Sequence, residues 1–188
     1  MDYNQQLLHC LAEKREEMRR QYHRVLPVGE LLFNRFEKAE YLGFGEQSSV
    51  YDTSVVMGDV HVGKHVWIGP YTIVEGINGR VSIGDFVSLN AGVSIYTHDS
   101  TKYYVSGGAC AFEKGDVNIG SNTVIGSMSI ICHGVSVGSG CVVGAHSMVT
   151  KDVPDGAIVA GVPARRIGSV RKKSGGQVEF LYDEGERE

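Results

Sequence analysis

Residues 119–149 read IGSNTVIGSMSIICHGVSVGSGCVVGAHSMV, and an aliphatic side chain returns every six positions: Ile119, Ile125, Ile131, Val137, Val143 and Val149. An amphipathic helix needs apolar spacings of three and four, and a half-buried strand needs two. A strict period of six satisfies neither and points to a solenoid assembled from very short repeats. Glycine follows the aliphatic residue at Gly120, Gly126, Gly138 and Gly144, and a small or β-branched residue stands three places on, at Thr123, Ser129, Val135, Cys141 and Ser147. This pattern suits an inward aliphatic on each flat face with tight bends at the corners.

The register extends upstream through Phe44, Val50, Val56, Val62, Ile68 and Val74. The step from Val74 to Ile83 is nine, a three-residue insertion carrying Gly76, Asn78 and Gly79, after which Leu89 and Ile95 resume the count. Thr101, Gly107 and Glu113 break the ladder before Ile119 restores it. With three hexads to a triangular coil, residues 44–154 hold about five coils, one interrupted by an excursion over residues 97–116. A long irregular loop in a strict solenoid points to function. The fold expected is an all-β solenoid, with residues 1–43 as an N-terminal helical cap, residues 44–167 as the β-helix and residues 168–188 as a C-terminal tail.

The composition agrees. One domain is expected from 188 residues, and the net charge of −4 comes with no basic run of the kind that binds nucleic acid. No segment approaches the ~20 apolar residues of a membrane span, and the polar N-terminus does not read as a signal peptide. Cys10, Cys110, Cys132 and Cys141 form no CxxC pair, which points to a reduced, cytoplasmic protein. Residues 5–24 read as an amphipathic helix with Leu7, Leu8, Leu11, Met18 and Tyr22 toward one side, and a second helix is expected over residues 29–40. Capping the solenoid's apolar end is the natural role for this segment, with part of an acceptor pocket as the alternative. One strand is expected at Val178–Leu181, and the tail from Tyr182 onward is expected to be mobile.

The Ile-Gly-x-x-Thr-Val hexads, the excursion containing His98, and the closing runs Val149-Thr150-Lys151-Asp152-Val153-Pro154 and Ala160-Gly161-Val162-Pro163-Ala164-Arg165 resemble the hexapeptide-repeat acyltransferases. The nearest likeness is to the sugar O-acetyltransferases of the galactoside and maltose type, over residues 44–167. The resemblance implies a left-handed parallel β-helix, a homotrimer, and acetyl-CoA as co-substrate with no metal. The implied acceptor is a sugar, a nucleotide-sugar or a polysaccharide precursor.

The chemistry points to one histidine. A sugar hydroxyl is a poor nucleophile toward a thioester carbon, so a base must take its proton as the bond forms, and imidazole titrates close to working pH. Of seven histidines, His98 alone sits where the repeat opens, and the resemblance independently implies it as the catalytic base. The resemblance also implies coenzyme contacts at Gly126, Ser127, Gly144, Ala145, Thr150, Lys151 and Arg165, the last two facing the phosphates. Glu75, Asp99 and Tyr103 are weaker candidates for the acceptor: Glu75 to bond hydroxyls, Asp99 to bond the acceptor or orient His98, and Tyr103, with Tyr104, to stack on a sugar face. Asp99 stands where galactoside-type enzymes commonly carry proline, and their early polar positions are not reproduced. Cys110 has no activating neighbour, so direct transfer is preferred over an acyl-enzyme. His61 and His65, four apart, lack the spacing of the metal-binding hydratases that share this fold. The alternatives are an amino-sugar N-acetyltransferase and a non-catalytic β-helix used for assembly.

Overall fold

The computed structural model describes residues 2–183. Two-residue strands alternate with tight corners and stack into a prism of three parallel faces. The first face carries Ser49–Val50, Trp67–Ile68, Ser88–Leu89, Val124–Ile125, Val142–Val143 and Ala157–Gly161 in register, giving six turns where five are expected from the sequence. The extra turn arises because Ala157–Gly161 adds a rung beyond Pro154, where the six-residue spacing has already lapsed.

On the second face, Val55–Val56, Ile73–Val74, Ser94–Ile95, Ile130–Ile131 and Met148–Val149 align. The third face runs from Val60–Val62 through Val81–Ile83, Val117–Ile119 and Ser136–Val137 to Val153. The repeat's aliphatics fill the prism: Val50, Ile68, Leu89, Ile95, Ile125 and Ile131 are wholly buried. The small residues three places on are buried at the corners. Thr123 Oγ1 donates to the Gly138 carbonyl (3.0 Å) and accepts from the Cys141 amide (3.2 Å). Ser129 does the same with the Gly144 carbonyl (2.8 Å) and the Ser147 amide (3.2 Å). At these two bends the hydroxyl pairs a carbonyl and an amide that would otherwise be left unbonded.

Side chains facing outward differ among the faces. The first presents Trp67, Val124 and Val142 with Ser88 among them, and the second Val55, Ile73, Ile130 and Met148 with Ser94 among them. Val124 is 39% exposed, Ile130 36% and Val55 47%. The third face presents His61, Ser82, Asn118 and Ser136 instead. Two outer walls are therefore largely apolar and one is polar.

The N-terminal segment holds three helices: α1 (Tyr3–Tyr22), α2 (Val28–Leu32) and α3 (Arg35–Tyr41). The single second helix expected is broken at Asn34, whose side chain caps α3 by accepting from the Phe36 amide at 2.9 Å. Ala39 of α3 joins the core, with Leu42 and Phe44 packed against it, closing the first turn. Lys38 holds that cap by donating to the carbonyls of Tyr51, Asp52 and Ser54, each at 3.0 Å. Helix α1 buries none of its residues in the single chain, and none of the described helices is long and apolar enough to cross a membrane.

Residues 168–183 are not a loose tail. Ala164–Lys172 pairs antiparallel with Ala157–Gly161 and then with Val178–Tyr182, continuing the first face past the last turn. The strand includes Tyr182, one residue beyond the span expected. The rest of the tail expected to be mobile, residues 184–188, lies outside the described residues.

Candidate active site

The excursion leaves the second face after Ile95 and returns on the third at Val117. Its base is a two-strand antiparallel ladder in which His98 pairs with Lys114 and Asp99 with Glu113. Above the ladder stands α4 (Thr101–Val105), whose Lys102 bonds Glu113 at 2.6 Å.

His98 is anchored from below. Its Nδ1 lies 3.0 Å from Oε2 of Glu75, whose side chain is 4% exposed against 28% for the imidazole. The same Oε2 accepts from the Thr97 amide and hydroxyl, both at 2.9 Å, and Oε1 accepts from the Ile77 amide at 2.6 Å. Burial pushes the Glu75 carboxyl up, but the donors from Thr97, His98 and Ile77 outweigh it and hold the group down at about 2. An ionised carboxylate there keeps the proton of the neutral imidazole on Nδ1 and leaves the Nε2 lone pair free. Among the described residues, Nε2 has no hydrogen-bond partner. One face of the ring stacks on Phe112, with centroids 5.7 Å apart and planes 14° apart; Phe112 in turn meets Tyr103 edge-on at 5.0 Å.

Glu75 occupies a different place from the one expected. Both its oxygens bond the chain, Oε1 to Ile77 and Oε2 to Thr97 and His98, so the buried carboxylate faces His98. The three-residue insertion produces this: it bulges the corner after Val74 and folds Ile77 back over the carboxylate. Gly76 sits so tightly in that bulge that a Cβ would lie 2.6 Å from the Asp59 carbonyl oxygen. Asp99 does not orient the imidazole, because adjacent residues of a strand point to opposite sides; its Oδ1 accepts from the Thr101 amide at 2.7 Å. Tyr103 reaches the site through Phe112, while Tyr104 is largely exposed.

The residues implied for the coenzyme fall on two corners. Gly126, Ser127, Gly144 and Ala145 stack at the corner between the first and second faces, where the His146 amide bonds the Ser127 carbonyl at 2.9 Å. Arg165, exposed and paired with Ala160, lies just above them. Thr150 and Lys151 lie across the second face, at the corner that His98 leaves from two turns below. One chain therefore does not gather the whole set at His98. The remaining histidines have other neighbours: His61 contacts Asp59 at 2.6 Å, and His65 stacks on Phe86 at 4.4 Å. Among the described residues no group of three or more His, Cys, Asp or Glu converges as metal ligands would. A recess of about 530 Å³ lies between α1 and the rest of the cap, lined by Met18, Tyr22, Phe36 and Tyr51 among others, and includes no residue of the excursion.

Residues 116–151 match the bacterial transferase hexapeptide (six repeats) family. Protein CapG of Staphylococcus aureus is 46% identical over 98 residues, which are 48% of this chain and 53% of CapG. The chain spans about half the length of the curated relatives it matches. Among solved structures, a maltose O-acetyltransferase from Clostridium difficile 630 is 28% identical with a TM-score of 0.59, covering 86% of this chain and 89% of that one. A variant of AntD, an N-acyltransferase from Bacillus cereus in complex with dTDP-4-amino-4,6-dideoxyglucose and coenzyme A, is 25% identical with a TM-score of 0.56, covering 75% and 93%.

Proposed function

We propose that this chain transfers the acetyl group of acetyl-CoA to a hydroxyl of a sugar or sugar-containing precursor, with His98 as general base and Glu75 as its positioning partner. The observation that carries the reading is the buried Glu75 carboxylate against Nδ1 of a part-exposed imidazole whose Nε2 has no hydrogen-bond partner among the described residues. The acceptor oxygen attacks the thioester carbon as Nε2 takes its proton. The tetrahedral intermediate then collapses, the carbon–sulfur bond breaks, and the imidazolium returns the proton to the departing thiolate. Backbone amides of the neighbouring turn stabilise the oxyanion. The likeness to a maltose O-acetyltransferase supports the acetyl donor and the sugar acceptor.

In this reading the coenzyme lies along the corner of Ser127 and Ala145, with Arg165 and Lys151 toward its phosphates. Ser127, Ala145 and Arg165 stand on one edge of the second face and His98 and Lys151 on the other, so a neighbouring copy would bring its coenzyme corner to His98. The two apolar outer faces beside one polar face support a closed homotrimer in which each prism turns two walls toward its neighbours. A second reading, N-acetylation of an amino sugar, uses the same base; the likeness to AntD in complex with an amino-sugar nucleotide favours it.

The test is thiol release from acetyl-CoA across sugars, amino sugars and nucleotide sugars, for wild type and His98→Ala. Acceptor-dependent release that falls by about 10²-fold or more in the variant supports the assignment. Release unchanged by the variant removes His98 from the chemistry, and release confined to amino sugars selects the second reading.

A further inference from the structure

The ladder at the base of the excursion places a cation beside the base. His98 and Lys114 are direct cross-strand partners. The Gly115 amide bonds the Thr97 carbonyl at 3.0 Å one position away, so His98–Lys114 is the closer, non-hydrogen-bonded kind of antiparallel pair. Side chains of such a pair project to the same side with Cβ atoms about 4.5–5.5 Å apart. Phe112, two residues before Lys114, stacks on the same imidazole. One side of the hairpin therefore presents an ammonium, a base and an aromatic ring in sequence.

The other charged groups of this hairpin are engaged. Asp99 accepts from the Thr101 amide at 2.7 Å, Lys102 bonds Glu113 at 2.6 Å, and Asp116 accepts from the Arg80 amide at 2.8 Å. Arg80 itself bonds Asp59 at 2.9 Å. Lys114 is exposed and has no carboxylate partner among the described residues. A cation left free beside the attacking position, where every neighbouring charge is satisfied, is placed to meet charge that arrives with the substrate.

We propose that Lys114 is a specificity-determining residue that binds an anionic group, phosphate or carboxylate, carried by the acceptor sugar. The proposal rests on the acetyl-transfer reading and narrows its acceptor to an acidic or phosphorylated sugar. The sugar ring sits against the Phe112 and Tyr103 aromatics, one hydroxyl meets Nε2 of His98, and the anion lies on the Lys114 side.

The test compares matched neutral and anionic forms of one sugar, glucose against glucose 1-phosphate, glucuronate and UDP-glucose, on wild type, Lys114→Ala and Lys114→Arg. Binding is measured by calorimetry without acetyl-CoA, and turnover by thiol release. The wild type is expected to favour an anionic form by about tenfold or more, as a charge-assisted contact provides. Lys114→Ala is expected to erase that preference, Lys114→Arg to retain it, and added salt to shrink it. The phosphate and carboxylate arms separate the two sources of charge. Equal affinity for neutral and anionic forms in the wild type, no binding of any anionic form, or a preference that survives Lys114→Ala overturns the proposal. An intact binding preference with no thiol release from any acceptor supports Lys114 and counts against acetyl transfer instead.

Discussion

Oε2 of Glu75 and Nδ1 of His98 meet at 3.0 Å although 23 positions of chain separate them. The contact joins two irregularities of the repeat, the insertion after Val74 and the excursion after Ile95, on successive turns of one corner. Neither would place a functional group alone: the insertion supplies a buried acid, and the excursion supplies the ring it holds.

Glu75→Gln replaces an acceptor with a group that can also donate, which favours the imidazole tautomer with its proton on Nε2 and removes the outward lone pair. Turnover should fall by about 10²-fold while acetyl-CoA affinity is retained, measured by steady-state kinetics and calorimetry. Retained turnover in a folded Glu75→Gln protein would remove Glu75 from the mechanism.

The same carboxyl makes stability depend on pH. Its value in the folded chain, about 2, lies below the ordinary 4.5, so between these limits the unfolded chain binds more protons. The contribution is full above pH 4.5 and declines as pH falls toward about 2. Urea midpoints of the wild type should fall across that window, and those of Glu75→Gln should fall less steeply. Parallel curves for the two proteins would contradict this.

Gly126 lies where one turn passes directly beneath the next, and a Cβ there would sit 2.5 Å from the amide nitrogen of Ala145. Gly126→Ala must push two turns apart and should lower stability by about 2 kcal/mol or more. Gly107→Ala, at φ +64 in open space, should cost about 1 kcal/mol through backbone strain alone. Thermal melts of the pair test whether close packing or conformation dominates.

Ser129 closes a corner with two hydrogen bonds, and Ser129→Ala leaves the Gly144 carbonyl and the Ser147 amide unpaired. A loss of about 1–3 kcal/mol is expected by chemical denaturation. A neutral result would mean that water or a shifted backbone takes the hydroxyl's place.

Ile130 and Asn118 both point outward, on an apolar and a polar face respectively. Ile130→Glu is expected to reduce the mass in sedimentation equilibrium toward that of a single chain, whereas Asn118→Glu leaves it unchanged. If both variants sediment as the wild type does, the apolar walls are not the contact between copies.

The prism was legible because each inward position of the six-residue period, Val50 through Val149, is a burial requirement that repeats without long-range help. His98 was legible as the histidine at the break. Glu75 was readable as a residue beside an insertion, but its partner was not, since the contact depends on how two bulged corners stack and no spacing rule encodes that. Lys114 gave no signal either: it meets His98 through a pairing that spans the intervening helix. The last turn and the C-terminal hairpin escaped for a related reason. Ala157–Gly161 is held by its neighbours' backbone, not by a hexad of its own.

Because the turns stack at a fixed spacing of about 4.8 Å, the solenoid acts as a ruler between its functional groups. Thr150 and Lys151 stand two graduations above the turn that His98 leaves, and no hinge lies between them. Inserting a duplicate of residues 124–141 would preserve every inward contact, yet carry the upper corner one graduation farther from the imidazole. In the proposed acetyl transfer, a donor spanning the two marks has a length set by the count of repeats. Under that proposal the number of hexads, an architectural quantity, becomes a constraint on which thioester arm can reach His98.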